Sequence, residues 1–494
     1  MIFEVTPKPR YIEVIASGRE GIVSFPTYLP GSYIIRELER NVVEFEGIRV
    51  SKNKFYVKDK FRYLVYASSK DQREAISTSD YLFINPPAVF PYQDKYENYC
   101  VKLNVKWPLK TTMEKRGEYY CADDYESFVD SPIQASPILK TIMIDENHEI
   151  STIDDVNPGS VKAVLEDIDR EMGTSEKYVF FFRRSDRNFG GIEHLNSSAI
   201  VVNWDRTDLT LLMAHEYFHR WNVRKFRPLD LDLDLERESY TDLLWFAEGV
   251  TDYVAWLSST RVGAIKPEDA GKYLATAMSK LTFPGARRTS LAESSRTTWI
   301  KYYRQDENFL NSSVSYYDGG LLIGLILDML LRDKGENIFS IFRNIPSRYT
   351  FHDIDSYLKS RNIEVLEELI YYPSARILEK LSGMMEIDLV DKDSPYFGIM
   401  LDGNKITYVE DGSPADSAGL IPQDVLIATD EIVKNIEVKS HLNVLINREG
   451  RVKKFTLMAG KSPGHKVKIA IRGDIARRLL NVDSIDGTST TNII

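Results

Sequence analysis

Cysteine is almost missing from this chain: Cys100 and Cys121 are the only two among 494 residues. That excludes a disulfide framework, and because both lie far from the histidines we expect two ordinary thiols rather than metal ligands. No apolar run is long enough to span a bilayer. The opening Met1-Ile2-Phe3-Glu4-Val5-Thr6-Pro7-Lys8 lacks the basic region and apolar stretch of a secretion signal. A cytoplasmic protein is therefore expected, with no membrane partner. An excess of positive charge is missing as well. Lys and Arg number 63 against 73 Asp and Glu, a formal net charge of −10, which opposes attraction to phosphate backbones. No local basic patch offsets it, so nucleic acid is not an expected partner.

What is present is enough apolar material to fold. Hydrophobic residues make up 43% of the sequence, and a chain of this length suggests two to four domains. One stretch stands apart from ordinary folding patterns. It runs through Ala214-His215-Glu216-Tyr217-Phe218-His219-Arg220-Trp221-Asn222 and then Trp245-Phe246-Ala247-Glu248-Gly249-Val250-Thr251-Asp252-Tyr253. On a helix, residues at i and i+4 project from one face, which is where His215 and His219 must sit to share a zinc ion. Glu216 then lies beside the metal. Glu248, on the second apolar segment, is the natural third ligand, giving two His and one Glu with a fourth position left to water. Such a site lowers the pKa of water from about 15.7 to about 7, with Glu216 placed to take its proton. Asp252 falls one turn after Glu248 and is placed to accept a hydrogen bond from the other ring nitrogen of His215. An amphipathic helix can carry the His spacing by chance; the Glu248 segment argues for chemistry. A third His six residues past His219 is absent because position 225 is Lys, which argues against the metzincin arrangement.

The run His215 to Val223 together with Glu248 to Tyr253 resembles the glycyl aminopeptidase family of gluzincin zinc metallopeptidases. The resemblance implies a multidomain α+β protein: an N-terminal β sandwich, a thermolysin-like α/β catalytic domain and a C-terminal PDZ-like β module. It also implies one zinc ion per chain and peptide substrates with a free N-terminus.

Residues 1–145 carry β signals of their own. Tyr11 to Ala16, Lys54 to Lys58, Phe61 to Tyr66 and Val101 to Trp107 are rich in β-branched and aromatic residues between turn formers. Leu29-Pro30-Gly31-Ser32-Tyr33 reads as a tight turn or, by resemblance, a substrate contact. Residues 146–388 form the expected catalytic domain. It begins with a helix capped at Ser160, whose Val161, Val164, Leu165 and Ile168 keep a helical period, and continues into a buried strand at Tyr178 to Phe182. Next comes Phe189-Gly190-Gly191-Ile192-Glu193-His194, similar to the Gly-x-Met-Glu-Asn motif of related aminopeptidases. There an exposed edge strand pairs with the substrate backbone and its Glu binds the free α-amine. Gly190 and Gly191 would permit close backbone approach. His194 is either a hydrogen-bonding spectator or a substrate contact. Asp230 to Glu236 alternates acid and leucine, suggesting a strand with one wet face, and its acids are the simplest partners for Arg224, Lys225 and Arg227.

Farther on, Ser315-Tyr316-Tyr317-Asp318-Gly319-Gly320 precedes an apolar helix from Leu321 to Leu331. Related aminopeptidases place an oxyanion-stabilising phenol at the position matching Tyr317. Gly319 stands where they have Lys, so Tyr316 and Tyr317 both remain candidates. Residues 332 to 385 read as helices with a buried stripe of Leu366, Leu369, Ile370, Ile377, Leu378 and Leu381.

Residues 389–476 change to short strands. Gly412-Ser413-Pro414-Ala415 with Ala418-Gly419-Leu420 resembles a bacterial PDZ domain, in which the loop at Phe397, Gly398 and Ile399 offers N–H groups to a peptide C-terminus. Packing alone is the equal alternative for this module. Residues 477–494 read as a floppy polar tail. The leading expectation is thus a zinc aminopeptidase, possessing Glu216 and Tyr317 as catalytic groups and Glu193 as amine ligand. The alternatives are a peptide-binding scaffold with a silent zinc site and a zinc endopeptidase.

Overall fold

Alternating burial along successive strands builds the N-terminal region. The computed structural model describes residues 1–173, 176–186, 189–205, 209–231, 234–431 and 436–494. They fall into two units: Met1–Arg227 with Leu231–Ser239, and Pro228–Asp230 with Tyr240–Ile494. In the first, strand Ile2–Lys8 pairs antiparallel with Tyr11–Ser17 and parallel with Tyr99–Leu103 inside a seven-stranded sheet. Its Phe3 and Val5, with Ile12, Val14 and Ala16 of the neighbour, point into one core shared with Phe61, Tyr63, Leu82 and Phe90. That is the period-two pattern seen in the sequence. A four-stranded and a three-stranded sheet complete this β-rich region.

The two cysteines correct an expectation. Strands Tyr99–Leu103 and Tyr119–Ala122 pair antiparallel with Cys100 directly opposite Cys121, and the two form a disulfide. Register, which the spacing of two cysteines does not disclose, decides the outcome.

A five-stranded mixed sheet follows, in the order Lys140–Met143, His148–Thr152, Tyr178–Ser185, Ser197–Asn203, Gly190–Glu193. Because Lys140–Met143 pairs with His148–Thr152, a boundary at residue 145 falls inside a hairpin. Strand Tyr178–Ser185 is parallel to both neighbours and buried over most of its length, as its unbroken apolar run requires. Gly190–Glu193 is the edge strand, antiparallel to Ser197–Asn203. Helix Val161–Met172 buries Val161, Val164, Leu165 and Ile168, although the Ser160 side chain makes no capping bond. Within Asp230 to Glu236, Asp232 and Leu233 lie outside the described residues. Those described form no strand, and Glu236 instead accepts the Tyr92 hydroxyl at 2.6 Å and pairs with Lys54 at 2.9 Å.

The second unit is helical, then β. Helix Tyr316–Arg332 is buried almost all round and packs on the helical run Trp245–Arg261. It begins five residues before the expected Leu321 because Ser315 caps it, accepting the Asp318 N–H at 3.2 Å. Strands Ile399–Asp402, Lys405–Val409, Val425–Thr429, His441–Arg448 and Arg451–Met458 form an antiparallel sheet in that order, in the region where short strands are expected. Their core includes Phe397, Ile399, Ile406, Leu442, Val444, Ile446 and Leu457.

The floppy tail is also corrected. Helix Asp474–Leu480 leads into strand Ser484–Thr488, which pairs with Val467–Arg472, and Ser489 N–H donates to the Val467 carbonyl at 2.8 Å. Small polar side chains here serve as hydrogen-bonding groups, which composition alone reads as solvent-facing. Among the described residues, no helix is long and apolar enough to cross a membrane.

Candidate catalytic centre

The histidine helix spans Thr210–Phe218 and buries Met213, Ala214, Tyr217 and Phe218. It stops one residue before His219, yet His219 keeps helical angles (φ −59°, ψ −17°) and its N–H still reaches the His215 carbonyl at 3.3 Å. The i, i+4 alignment therefore survives the helix end. His219 Nδ1 lies 2.8 Å from the Asn222 carbonyl. A carbonyl only accepts, so Nδ1 carries the proton and Nε2 keeps its lone pair. That lone pair faces His215 Nε2 at 2.9 Å, near the ~3.3 Å separation of two nitrogens on one tetrahedral zinc ion.

Buried hydrogen bonds hold this helix on the five-stranded sheet. The Tyr178 hydroxyl donates to the Glu216 carbonyl at 3.1 Å. Tyr217, between the two histidines, donates to Asp169 Oδ1 at 2.5 Å and sits 2.8 Å from His148 Nε2. His148 Nδ1 in turn faces the Asp145 carboxylate at 2.8 Å. None of His148, Asp145 or Asp169 stood out in the sequence, because their link to Tyr217 is tertiary.

Two glycines fix the carboxylates. Glu216 is 6% exposed, and a Cβ added at Gly191 would come within 2.2 Å of its carboxyl carbon. Only a residue without a side chain lets the edge strand lie against Glu216. Glu193, on the same strand, is 4% exposed. Both its carboxylate oxygens would lie 2.4 Å from a Cβ at Gly31, whose φ of +83° also favours glycine. The turn at Leu29 to Tyr33 thus walls the Glu193 carboxylate. Glu193 Oε1 is buried without a hydrogen-bond partner among the described residues. Gly190, at the start of the strand, lies beside the Gln72 amide.

His194 turns to a different node. Its Nδ1 lies 3.2 Å from Asp130 Oδ1, which also takes Arg224 at 2.8 Å, while Leu195 N–H donates to Asp130 Oδ2 at 2.8 Å. Burial pushes the Asp130 carboxyl up, but Arg224 and His194 outweigh it and hold the group below its ordinary value. Lys225 pairs with Glu176 and Arg227 with Glu126. The three basic residues therefore have acidic partners other than the Asp230 to Glu236 run.

In the second unit, Glu248 is 2% exposed and sits in a π-helical turn, Trp245–Gly249, that continues directly as helix Val250–Arg261. Such turns often occur at functional sites. The turn packs tightly on the start of helix Tyr316–Arg332: a Cβ at Gly249 would meet the Gly320 Cα at 2.4 Å, and one at Gly320 the Trp245 carbonyl at 2.0 Å. The Gly-Gly pair after Asp318 is thus a packing requirement that brings both tyrosines near Glu248. Tyr316 is fully buried, its hydroxyl accepting from Thr298 Oγ1 at 2.9 Å. Tyr317 is half-buried. Burial pushes both phenols well above their ordinary pKa, seconded by the Glu248 charge at Tyr317 and by Tyr303 ahead of Glu248 at Tyr316. Asp252 is half-buried one turn after Glu248, and its charge raises the pKa of Tyr273.

Among the described residues, His215, His219 and Glu248 form a group able to hold a metal ion, with one ligand atom of each lying within 4.8 Å of the others.

The fold is similar to that of an aminopeptidase N family protein from Idiomarina loihiensis: TM-score 0.84 at 21% identity, over 94% of this chain and 97% of that one. An M1 zinc metallopeptidase from Deinococcus radiodurans aligns over 75% of this chain and 93% of its own, at 10% identity and a TM-score of 0.45. No curated protein matches the sequence. Residues 208–323 match the M61 glycyl aminopeptidase family and residues 11–137 the M61 peptidase N-terminal domain. Carrying matches to both M61 peptidase domains, the chain is a peptidase, a hydrolase.

Proposed function

We propose that this chain is a zinc aminopeptidase that removes the N-terminal residue from peptides, with His215, His219 and Glu248 as the zinc ligands. The observation that carries the reading is the grouping of those three ligand atoms within 4.8 Å. Two neutral imidazole nitrogens and one carboxylate are the donor set of open zinc sites, and the His219 tautomer set by Asn222 is the one such a site needs. Zinc bound there supplies Lewis acidity that brings the pKa of water from about 15.7 to about 7.

The remaining steps belong to side chains. Glu216 takes the proton of the attacking water and passes it to the departing amine. Tyr317, kept protonated by burial and by Glu248, donates to the substrate carbonyl oxygen as charge develops on it. Tyr316 is the poorer candidate because Thr298 already engages its hydroxyl. Asp252 orients His215. Glu193 receives the α-ammonium group: a buried carboxylate oxygen without a partner is costly unless a cation completes it. Gly190 and Gly191 leave the edge strand bare enough for a substrate backbone to lie along it. Preference for glycine or alanine at the cleaved position follows the family's name. In the β module after residue 389, the loop at Phe397, Gly398 and Ile399 is read as the carboxylate loop of a PDZ-like fold.

Glu216→Gln is expected to retain one zinc per chain by elemental analysis while release of amino acids from unblocked peptides falls at least about 1,000-fold. Turnover near the wild-type rate would reject the mechanism. N-acetylated peptides should be left intact, and their cleavage would instead identify an endopeptidase.

A further inference from the structure

Behind the histidine helix lies a set of contacts whose protons can be counted. Helix positions turn by about 100° per residue, so Tyr217 points away from the face shared by His215 and His219. Its oxygen serves two partners: it donates to Asp169 Oδ1 at 2.5 Å and lies 2.8 Å from His148 Nε2. The other ring nitrogen, Nδ1, lies 2.9 and 2.8 Å from the two Asp145 oxygens. Ring to Asp145, ring to phenol and phenol to Asp169 are three contacts, and each needs a proton. A neutral imidazole and one hydroxyl supply two. The cluster therefore holds one proton more than a neutral ring between two carboxylates.

The surroundings of His148 favour placing it on the ring. Burial raises the Asp145 carboxyl, but His148 and the N–H groups of Asn147 and His148 outweigh it and hold the group below its ordinary value. Asp169 Oδ2 lies 3.6 Å from Nε2, so carboxylates flank both sides of an imidazole that is itself 2% exposed. Burial raises the Asp169 carboxyl, while Tyr217, His148 and Arg220 act to lower it. Arg220 is paired with Glu176 at 2.7 Å, and the neighbouring strand sets Tyr178 opposite His148. Glu146, Lys162, Glu166 and Arg170 line the cavity through which Asp145, His148 and Asp169 meet solvent.

We propose that His148 is a positioning residue for the metal-binding helix, acting through Tyr217 as an imidazolium; this rests on the zinc aminopeptidase reading of His215 and His219. As long as the ring is charged, Nε2 donates to the Tyr217 oxygen and leaves the phenol proton to Asp169, so the back of the helix is held at two points. Once the ring loses that proton, two lone pairs face each other at one of these contacts. Tyr217 then keeps His148 or Asp169 and releases the other, and the helix is free to roll.

The test uses the zinc-loaded full chain. In His148→Ala, kcat should fall about tenfold or more with KM nearly unchanged, since small displacements of catalytic groups are costly. His148→Gln, whose amide places a permanent N–H where Nε2 donates, should recover most of that loss. Wild-type kcat should decline as pH rises through the His148 ionisation, because the charged ring is the low-pH form, and this step should be missing from His148→Gln. On a Tyr217→Phe background, His148→Ala should add nothing further. Nitrogen-15 NMR near neutral pH should show one histidine ring with both nitrogens protonated, a signal lost in His148→Ala. A neutral His148 ring, wild-type kcat in His148→Ala, or a Gln variant no better than the Ala variant would overturn the proposal. Ring NMR needs no turnover, so it tests the proton count even if peptides are not cleaved; missing zinc or missing turnover in the wild type would count against the catalytic reading alone.

Discussion

Position 191 sets how closely Glu216 approaches the edge strand. A methyl group there would overlap the Glu216 carboxyl at 2.2 Å, and displacement of a proton-transfer group by about 1 Å costs on the order of 100-fold in rate. Gly191→Ala is therefore expected to lower kcat by about that factor. Its melting temperature and zinc content should stay close to the wild type, since the flexible end of Glu216 absorbs the clash. Wild-type kcat in a folded Gly191→Ala enzyme would show that this contact is irrelevant. The spacing of His215 and His219 was readable in the sequence because helical period is local. The nest of Glu193 on Gly31 was not, since a turn in one sheet region meets a strand in another. The Asp130 partner of His194 and Arg224 was hidden for the same reason.

At the scale of elements, the start of helix Tyr316–Arg332 separates two adjacent phenols. The fully buried Tyr316 hydroxyl is engaged by Thr298, whereas Tyr317 is half-buried. Tyr317→Phe should cut kcat by about 100- to 1,000-fold, the usual effect of removing an oxyanion donor, with little change in stability. Tyr316→Phe should cost about 1 kcal/mol of stability through the lost hydrogen bond and leave kcat within a few-fold. The opposite pattern, read by steady-state kinetics and thermal melts, would exchange their roles. An apolar run starting at Leu321 marked this helix, yet its true beginning depends on the Ser315 cap. The strands of the C-terminal module were legible because alternation is strong there. The Asp230 to Glu236 alternation suggested a strand that the described residues do not form; the Glu236 side chain pairs with Lys54 and Tyr92 instead.

For the whole molecule, the disulfide ties strands whose cysteines are 21 residues apart. Closing a loop of that size in the unfolded chain stabilises the fold by about 3 kcal/mol. Cys100→Ser with Cys121→Ser should lower the denaturant midpoint accordingly and leave turnover unchanged. Alkylation should label neither cysteine until the protein is both unfolded and reduced; labelling of the native chain would refute the bridge. Neither this pairing nor the ordered segment after residue 477 was visible in composition, for register and tertiary hydrogen bonds decide both. The route of the backbone carries a last implication. It passes from the first unit to the second after Arg227, returns after Asp230 and leaves again after Ser239. A single nick at any of these passages leaves two others intact. A gene cut at any one of them would also leave at least one half carrying a piece of the other's fold, so separating the units calls for rewiring the loop, with scissors alone insufficient.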